Sequence, residues 1–448
     1  MQADAQGHEA PHPDIHMLHQ QLVDKVKAAG YITSPRVEEA FRAVPRHLFL
    51  PLIPPTEVYQ DRPIMTKMLD GQYVSSSSQP TIMAIMLEQL DLQSGQRVLE
   101  IGAGTGYNAA LMAHIVGETG QVVTIDIDDD IVEGARIHLI AAGYGRVQVI
   151  CADGGLGYPD AAPFDRIILT VGASDITLAW REQLKTNGRL LLPLLVRVSQ
   201  LAIAFESRPD TDYWQSISVR ACGFVGLRGA FAEDGETIQL APAPAQVLLG
   251  LGTPHAVQAE HVLSLLQGSY RDLPVQISVT PADIYWSLNY WLAIHEPLIC
   301  NFFALGEAAH NGILPGLAPS THSTIQSMRA IGLLSNTALA LVYPLHEATP
   351  STEASATSTP APLSGQAEQT GQPATPHLSL YVRSYGDDDT LAHHLIEQIR
   401  AWDETGRPDV QRLHIRSYTR DNRNDDILGE GDILIERRWS RFVFNWQL

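Results

Sequence analysis

The amino-acid sequence predicts an α/β fold whose central part is a parallel sheet covered by helices on both faces. Between residues 97 and 193, short apolar runs alternate with stretches of helical periodicity, which is the pattern of repeated strand–helix–strand units. A glycine-rich turn follows the first apolar run, and an acidic residue ends the second. The predicted strands are Arg97–Ile101, Val122–Asp126, Val147–Cys151, Phe164–Thr170 and Arg189–Pro193, and the predicted helices are Asn108–Val116, Asp129–Ala142 and Thr177–Leu184.

Changes in composition predict how the chain divides into domains. Residues 1–17 contain two prolines and few apolar side chains, so we expect a flexible tail. Residues 18–234 are predicted to form the α/β domain, and residues 235–448 a C-terminal α+β domain. Residues 347–376, rich in Thr, Ser, Ala, Pro and Gly, predict a disordered insertion in the latter. Further predicted elements are two helices in residues 18–43, antiparallel strands Leu201–Phe205 and Ile217–Ala221, strands Leu339–Tyr343 and Leu378–Val382, helix Thr390–Trp402 and strand Arg441–Trp446.

Aromatic residues stand out in one predicted helix of the C-terminal half, Asp283–Ile294. Trp286, Tyr290 and Trp291 recur there at helical spacing. This stripe predicts either a face buried in the core or a binding surface.

Charge and cysteine content exclude several classes of protein. The 448 residues include 50 acidic and 30 basic side chains, a net charge of −20, which disfavours binding to nucleic acid or to an anionic membrane. Cys151, Cys222 and Cys300 are widely spaced and form neither a disulfide framework nor a metal motif. The sequence has no apolar run long enough to span a membrane and no secretory signal pattern. We therefore expect a cytoplasmic protein without a metal site; the oligomeric state is left open.

The strongest chemical signal is the glycine-rich turn after the first predicted strand. The strand ends near Glu100, and Gly102, Gly104 and Gly106 then lead into a helix that starts near Tyr107. A dinucleotide site prefers the spacing GxGxxG, and Glu100 would repel a pyrophosphate, whereas a cationic sulfonium cofactor would tolerate it. The motif therefore predicts an S-adenosylmethionine site in a Rossmann-like sheet, with these five residues as cofactor contacts. A purely structural glycine turn, or a relative that has lost its cofactor, is the alternative.

The ends of the later strands add three further signals. Asp126 is predicted to accept hydrogen bonds from the ribose hydroxyls of the cofactor, unless it only caps the next helix. Asp153 and Gly154 are predicted to contact the adenine, unless they form an ordinary Asp-Gly turn. Residues Thr170–Ala173 lack the Asn/Asp-Pro-Pro-aromatic motif of enzymes that methylate exocyclic amines. An acceptor of another chemical class is therefore favoured.

The first half of the chain resembles the protein-L-isoaspartate O-methyltransferases. Ser78-Gln-Pro80 is similar to the active-site motif Thr-Ile-Ser-Gln-Pro of that family, although Ser76 and Ser77 replace its Thr-Ile. The C-terminal half resembles the extension of relatives associated with ribosomally made peptide natural products, through the Trp-rich helix and Ile399–Trp402. The other matching motifs are Val44-Pro-Arg46, Phe49, Pro51, Tyr59, Asp61, Pro63, Leu99–Tyr107, Asp153-Gly154, Ala162–Asp165, Gln183–Lys185, Gly188–Leu190 and Phe224–Gly229.

The resemblance implies methyl transfer from S-adenosylmethionine to the carboxylate of an L-isoaspartyl residue. Ser78 would be the catalytic residue that orients this carboxylate, and the resulting ester would close to a succinimide. Alternatively, Ser78 caps the helix that starts at Pro80. Three functions remain open: repair of damaged proteins, methylation of aspartate in a dedicated precursor peptide, and a binding module without activity. The expected partner is a protein or peptide that contains isoaspartate or aspartate.

Overall fold

The computed structural model describes residues 14–69, 71–232, 237–243, 245–253, 257–309, 312–315, 327–346, 377–422 and 427–447. The predicted insertion 347–376 and residues 1–13 of the predicted tail lie outside these ranges.

The helices are α1 (Ile15–Ala28), α2 (Pro35–Ala43), α3 (Pro55–Val58), α4 (Pro80–Leu90), α5 (Tyr107–Val116), α6 (Asp129–Ala141), α7 (Leu178–Gln183), α8 (Ala259–Gln267), α9 (Pro281–Asp283), α10 (Asn289–His295) and α11 (Thr390–Glu404). A π-helical turn, Ile284–Leu288, joins α9 to α10. Among the described residues, none of the helices combines the length and apolarity that a membrane span requires.

The strands are β1 (Ile64–Leu69), β2 (Gln72–Ser77), β3 (Arg97–Ile101), β4 (Gln121–Asp126), β5 (Gln148–Cys151), β6 (Phe164–Leu169), β7 (Leu184–Val196), β8 (Ser199–Ser207), β9 (Tyr213–Cys222), β10 (Thr237–Ala241), β11 (Val247–Leu251), β12 (Tyr270–Val279), β13 (Ile299–Leu305), β14 (Ser327–Leu334), β15 (Leu339–His346), β16 (Leu378–Tyr385), β17 (Leu413–Thr419), β18 (Ile433–Glu436) and β19 (Ser440–Trp446).

A mixed sheet forms the centre of the first compact unit. Within the described residues it has ten strands, in the order β18-β19-β17-β9-β8-β7-β6-β3-β4-β5. The strands from β7 to β5 run parallel, and β8, β9, β17, β19 and β18 are antiparallel. The predicted α/β class is confirmed, and each of the five predicted parallel strands is present. Their shared direction brings the carboxyl ends of β3, β4, β5 and β6 to one edge of the sheet.

Local capping determines where the first two helices begin. The Asp14 carboxylate accepts a hydrogen bond from the backbone N–H of His16, and α1 starts directly after it at Ile15. Ser34 caps α2 in the same way, with Pro35 at the first helical position. The predicted tail 1–17 is therefore wrong for residues 15–17. A short polar stretch with a capping aspartate can start a helix even where apolar residues are scarce.

The second compact unit, Gly235–Asp409, is built on an antiparallel sheet. Its strand order is β10-β11-β13-β14-β15-β16-β12 within the described residues. Tyr290 and Trp291 of the aromatic stripe are buried, as a core face requires, whereas Trp286 is 57% exposed. The Ser287 hydroxyl links the π-helical turn to α11 by accepting a hydrogen bond of 2.7 Å from the Trp402 indole.

The last part of the chain returns to the first unit, which comprises Met1–Asp234 and Val410–Leu448. β17 pairs with β9 on one side and with β19 on the other. The prediction of a single domain over 235–448 is therefore wrong for residues 410–448. These strands are apolar enough to be buried, but alternating strands carry no signal for the partner that they will pair with.

Burial of the returning strands predicts their contribution to stability. Phe442 of β19 is 1% exposed, and its ring centroid lies 6.3 Å from that of Phe205 on β8. We expect Phe442→Ala to lower the free energy of unfolding of the first unit by about 3–5 kcal/mol, because it leaves a cavity. Urea denaturation would measure this. Leu52→Ala, at a side chain 92% exposed, is the matched control, and equal effects of the two substitutions would contradict a buried returning strand.

Candidate active site

A cavity opens at the carboxyl ends of the parallel strands. Its lining comes from the end of β2, the glycine-rich turn after β3, the end of β4, the loops after β5 and β6, and the segment 224–228. The lining residues are 74–78, 83, 86, 101–105, 107, 108, 125–127, 154, 168, 170, 171 and 224–228.

Two of the three predicted glycines line this cavity. Gly104 has a φ of +51°, and a Cβ there would lie 3.4 Å from the carbonyl oxygen of Ser76. Gly102 also lines the cavity. This position requires glycine for packing, because a Cβ would lie 2.5 Å from Thr170 Oγ1. Gly106 is not among the lining residues; it lies against α6, where a Cβ would be 3.2 Å from Leu139 Cγ. Gly106 therefore has a packing role against α6, and its predicted contact with the cofactor stays a prediction.

Asp126 ends β4 with its carboxylate at the cavity wall. One oxygen accepts a hydrogen bond of 3.1 Å from the Gly104 backbone, and the other accepts one of 2.9 Å from the Ile127 backbone. Burial raises the pKa of this carboxyl. The helix cap of α6 is Asp128, so Asp126 does not serve the capping role that was its alternative. Its remaining lone pairs can accept further hydrogen bonds.

Glu100 is not among the residues that line the cavity, and its predicted contact with the cofactor stays a prediction. Its side chain is fully buried on β3, where it accepts hydrogen bonds from Asn108 Nδ2 at 2.7 Å and Thr124 Oγ1 at 2.6 Å. Burial raises its pKa to about 7. Because residues alternate along a strand, the acid points away from the cavity edge. Glu100 instead holds the amide of Asn108, which does line the cavity.

Asp153 also lies outside the lining, whereas its neighbour Gly154 is part of it. One Asp153 oxygen accepts a hydrogen bond of 2.9 Å from Gly155 N, and the other accepts one of 2.7 Å from Ala230 N. The Asp-Gly turn that was the alternative is present, stabilised by the Asp153 side chain. The predicted contact between Asp153 and adenine stays a prediction.

The serine segment 75–78 forms a second wall of the cavity. α4 starts at Pro80 after Gln79 without a side-chain cap, and the Asp61 carboxylate accepts the backbone N–H of Thr81 at 3.0 Å. Asp61 therefore caps the start of α4, the role that was the alternative for Ser78. No hydrogen bond joins the Ser78 hydroxyl to another side chain in the described part of the chain, so it remains available at the cavity wall.

A buried arginine, which the sequence did not single out as functional, fixes this wall. The Arg46 guanidinium is fully buried and donates hydrogen bonds to the Ser78 carbonyl at 3.0 Å and the Ser77 carbonyl at 3.3 Å. It also donates to the carbonyls of Val58 and Arg62 at 3.0 and 3.3 Å. Burial lowers its pKa to about 10. The available signal was the apolar sequence on either side of Arg46 and His47, Ala43–Pro45 and Leu48–Leu50.

Aromatic packing and the segment 224–228 complete the site. Tyr107 lines the cavity and packs against Phe49, with ring centroids 5.4 Å apart. The segment 224–228 is attached by two backbone hydrogen bonds of 2.7 Å to Gly172 and by the Gln200 side chain, which bonds both backbone groups of Phe224. Asn108 and Arg228 are lining residues that sequence reasoning missed as site residues.

Comparisons with known proteins identify relatives of this unit. Residues 17–231 match the family model of protein-L-isoaspartate(D-aspartate) O-methyltransferase. The protein-L-isoaspartate O-methyltransferase of Methanopyrus kandleri is 39% identical, over 47% of this chain and 91% of the relative. Protein-L-isoaspartate O-methyltransferase 2 of Archaeoglobus fulgidus is 41% identical, over 44% and 87%. A Plasmodium falciparum structure, described as such an enzyme with S-adenosyl-L-homocysteine, covers 47% of this chain and 98% of its own at 20% identity, with a TM-score of 0.41.

The raised pKa of Glu100 predicts a pH dependence of stability. The folded-state pKa of about 7 exceeds the unfolded value, so this carboxyl favours folding at low pH and loses that contribution as pH rises through 7. Glu100→Gln removes the titration and retains hydrogen-bonding groups. We expect its free energy of unfolding, relative to the parent, to rise by about 2 kcal/mol from pH 5 to pH 8. Urea titrations at both pH values would measure it; Glu118→Gln, at an exposed position, is the control, and a difference independent of pH would refute the assignment.

Proposed function

The chain belongs to the protein-L-isoaspartate(D-aspartate) O-methyltransferase family and is an S-adenosylmethionine-dependent methyltransferase, and from this premise we propose that it methylates the carboxylate of L-isoaspartyl residues in proteins or peptides. The observation that carries the proposal is that one cavity brings the hydroxyl of Ser78 together with the Gly104 turn and Asp126. A family member of this kind acts on a protein substrate.

The residues of the cavity fit the proposed cofactor. S-Adenosylmethionine supplies an electrophilic methyl group on a sulfonium. Asp126 accepts hydrogen bonds from the ribose hydroxyls with the lone pairs that Gly104 and Ile127 leave free. The backbone at Gly102 and Gly104 allows close approach, since neither residue carries a Cβ. Asn108, held by Glu100, offers its carbonyl oxygen to the ammonium group.

Ser78 is proposed to orient the acceptor by donating a hydrogen bond to its carboxylate. A carboxylate is ionised at neutral pH, so the chain needs no general base. Its contribution to the rate is alignment of the oxygen with the methyl group and exclusion of water. Arg46 supports this alignment because it fixes the backbone carbonyls of Ser77 and Ser78. The methyl ester then closes to a succinimide: the neighbouring backbone nitrogen attacks the ester carbonyl, the acyl C–O bond breaks, and methanol leaves with the amide proton, without a further group from the chain.

Cofactor binding is tested at Gly104. We expect Gly104→Val to abolish binding of S-adenosylhomocysteine in calorimetry, because the branched side chain enters the cavity. Gly143→Val is the matched control: Gly143 has a φ of +83° and open space around it, so it imposes similar backbone strain away from the cavity. Parent-like affinity of Gly104→Val would argue against this cofactor site, and loss of binding in both variants would show a general effect of strain.

Acceptor binding is tested at Ser78. We expect Ser78→Ala to retain affinity for S-adenosylhomocysteine and to slow methyl transfer to an isoaspartyl peptide by about 10-fold, the scale of a lost positioning contact. Thr81→Val is the control, because the Thr81 hydroxyl bonds only Asp61, at 2.8 Å, at the start of α4. It should lower stability by about 1 kcal/mol without slowing transfer.

The acceptor class is tested with two isomers of one peptide, one isoaspartyl and one aspartyl. We expect transfer to the isoaspartyl isomer alone. Transfer to the aspartyl isomer, or to neither, would contradict the proposal; transfer to the aspartyl isomer would favour a dedicated aspartyl substrate.

Full activity of Ser78→Ala in the preceding test would remove Ser78 from the mechanism.

A further inference from the structure

Two walls of the cavity are joined to the same carboxylate, that of Asp128. Arg228, at the end of the wall segment 224–228, donates to both Asp128 oxygens, at 3.2 and 2.6 Å. Lys67 of β1 donates to one of them at 2.8 Å. β1 pairs with β2, which carries the serine wall. Asp128 therefore connects segments that are far apart in the sequence and that cover the cavity from different sides.

The side chains of these ion pairs are less exposed to solvent than those of fully exposed surface pairs. The side chains of Asp128, Lys67 and Arg228 are 19%, 25% and 29% exposed. Lys67 has a second acidic partner, Asp130, at 2.6 Å. A bidentate guanidinium–carboxylate pair adds geometric specificity to its charge, and the Arg228 hydrogen bonds, followed by that of Lys67, hold the pKa of Asp128 low. The carboxylate therefore stays ionised at neutral pH.

Helix capping does not explain the Asp128 side chain. Asp128 occupies the cap position of α6, but its carboxylate makes no hydrogen bond to the backbone of that helix. It is also not a lining residue of the cavity. Its side chain instead bonds Arg228 and Lys67, which both belong to the covering segments.

We propose that Asp128 is a positioning residue that holds both walls closed over the bound cofactor and thereby limits the rate at which the demethylated cofactor leaves. The proposal rests on the proposed function, in that the cavity must bind S-adenosylmethionine and its product. Release requires the walls to separate, and separation breaks the bonds of Arg228 and Lys67 to one carboxylate. Removing that carboxylate should therefore free Arg228 and leave Lys67 with the more exposed Asp130 as its acidic partner, which loosens both walls.

The experiment measures dissociation of S-adenosylhomocysteine from the full chain by stopped-flow displacement. This ligand lacks the sulfonium charge, so lost attraction between Asp128 and the sulfonium does not contribute to the change. We expect Asp128→Asn to raise the dissociation rate by about 5-fold or more, the effect of roughly 1 kcal/mol, with a smaller change in the association rate. Asparagine also suits the helix cap, so α6 should start normally.

Arg228→Leu and Lys67→Met are each expected to give part of this effect. Because both act through Asp128, neither should add much in the Asp128→Asn background. Lys27→Met is the matched control, since Lys27 forms a 2.7 Å ion pair with Glu38 away from the cavity. Raising the salt concentration should accelerate dissociation from the parent more than from Asp128→Asn.

Each outcome decides a different question. Unchanged dissociation from Asp128→Asn would overturn the role of Asp128 and leave the proposed function intact. A full additional effect of Arg228→Leu in the Asp128→Asn background would mean that Arg228 contacts the ligand directly, which also overturns it. If the parent does not bind S-adenosylhomocysteine, both this inference and the proposed cofactor site fail.

Discussion

The geometry of the candidate site depends on one buried cation. Arg46 has no exposed surface, and its hydrogen bonds go to main-chain carbonyls of the loop 58–62 and of Ser77 and Ser78, with one to the Ser77 hydroxyl. Without these acceptors the guanidinium would be an unsolvated buried charge, and without Arg46 the carbonyls of the buried residues Val58 and Ser77 would lose a donor. This mutual requirement fixes the backbone that presents the Ser78 hydroxyl. The backbone of the serine segment 75–78 is thus fixed by hydrogen bonds from the Arg46 side chain, which is not among the residues that line the cavity.

The sequence predicted the parallel strands closely because each depends on local information. Apolar runs of strand length, separated by helical periodicity, define β3 to β6, and the glycine turn marks where β3 ends. The same reasoning failed for residues 410–448, since an alternating strand has no signal for its partner. It also failed at Ile15, where one capping aspartate was enough to start a helix in a polar stretch.

For the site, too, local sequence features were informative, whereas contacts between distant residues could not be predicted. The cavity is lined by Ser78, Gly102, Gly104, Tyr107, Asp126 and Gly154, which follow directly from a strand end or a turn. Their contacts with cofactor and acceptor stay predictions. Glu100, Gly106 and Asp153 belong to the same motifs but face away, toward Asn108, α6 and the backbone of Ala230. Spacing identifies a motif but not which face each member presents. Arg46 and Asp128 act through contacts with residues distant in sequence, which one sequence alone does not reveal.

The return of β17 to β9 affects how the first unit can be made. The strands β9 and β17 of this unit are separated in the chain by residues 235–409. The sheet is therefore incomplete while the ribosome is still translating that stretch. Until then, β9 is an edge strand with unpaired backbone groups, a known template for association between nascent chains. Early folding of the antiparallel unit would shorten the flexible loop between β9 and β17. The entropy cost of bringing these two strands together would then be lower, because this cost grows with the length of the flexible loop. The order of synthesis thus means that the second unit is translated before the methyltransferase sheet can be completed.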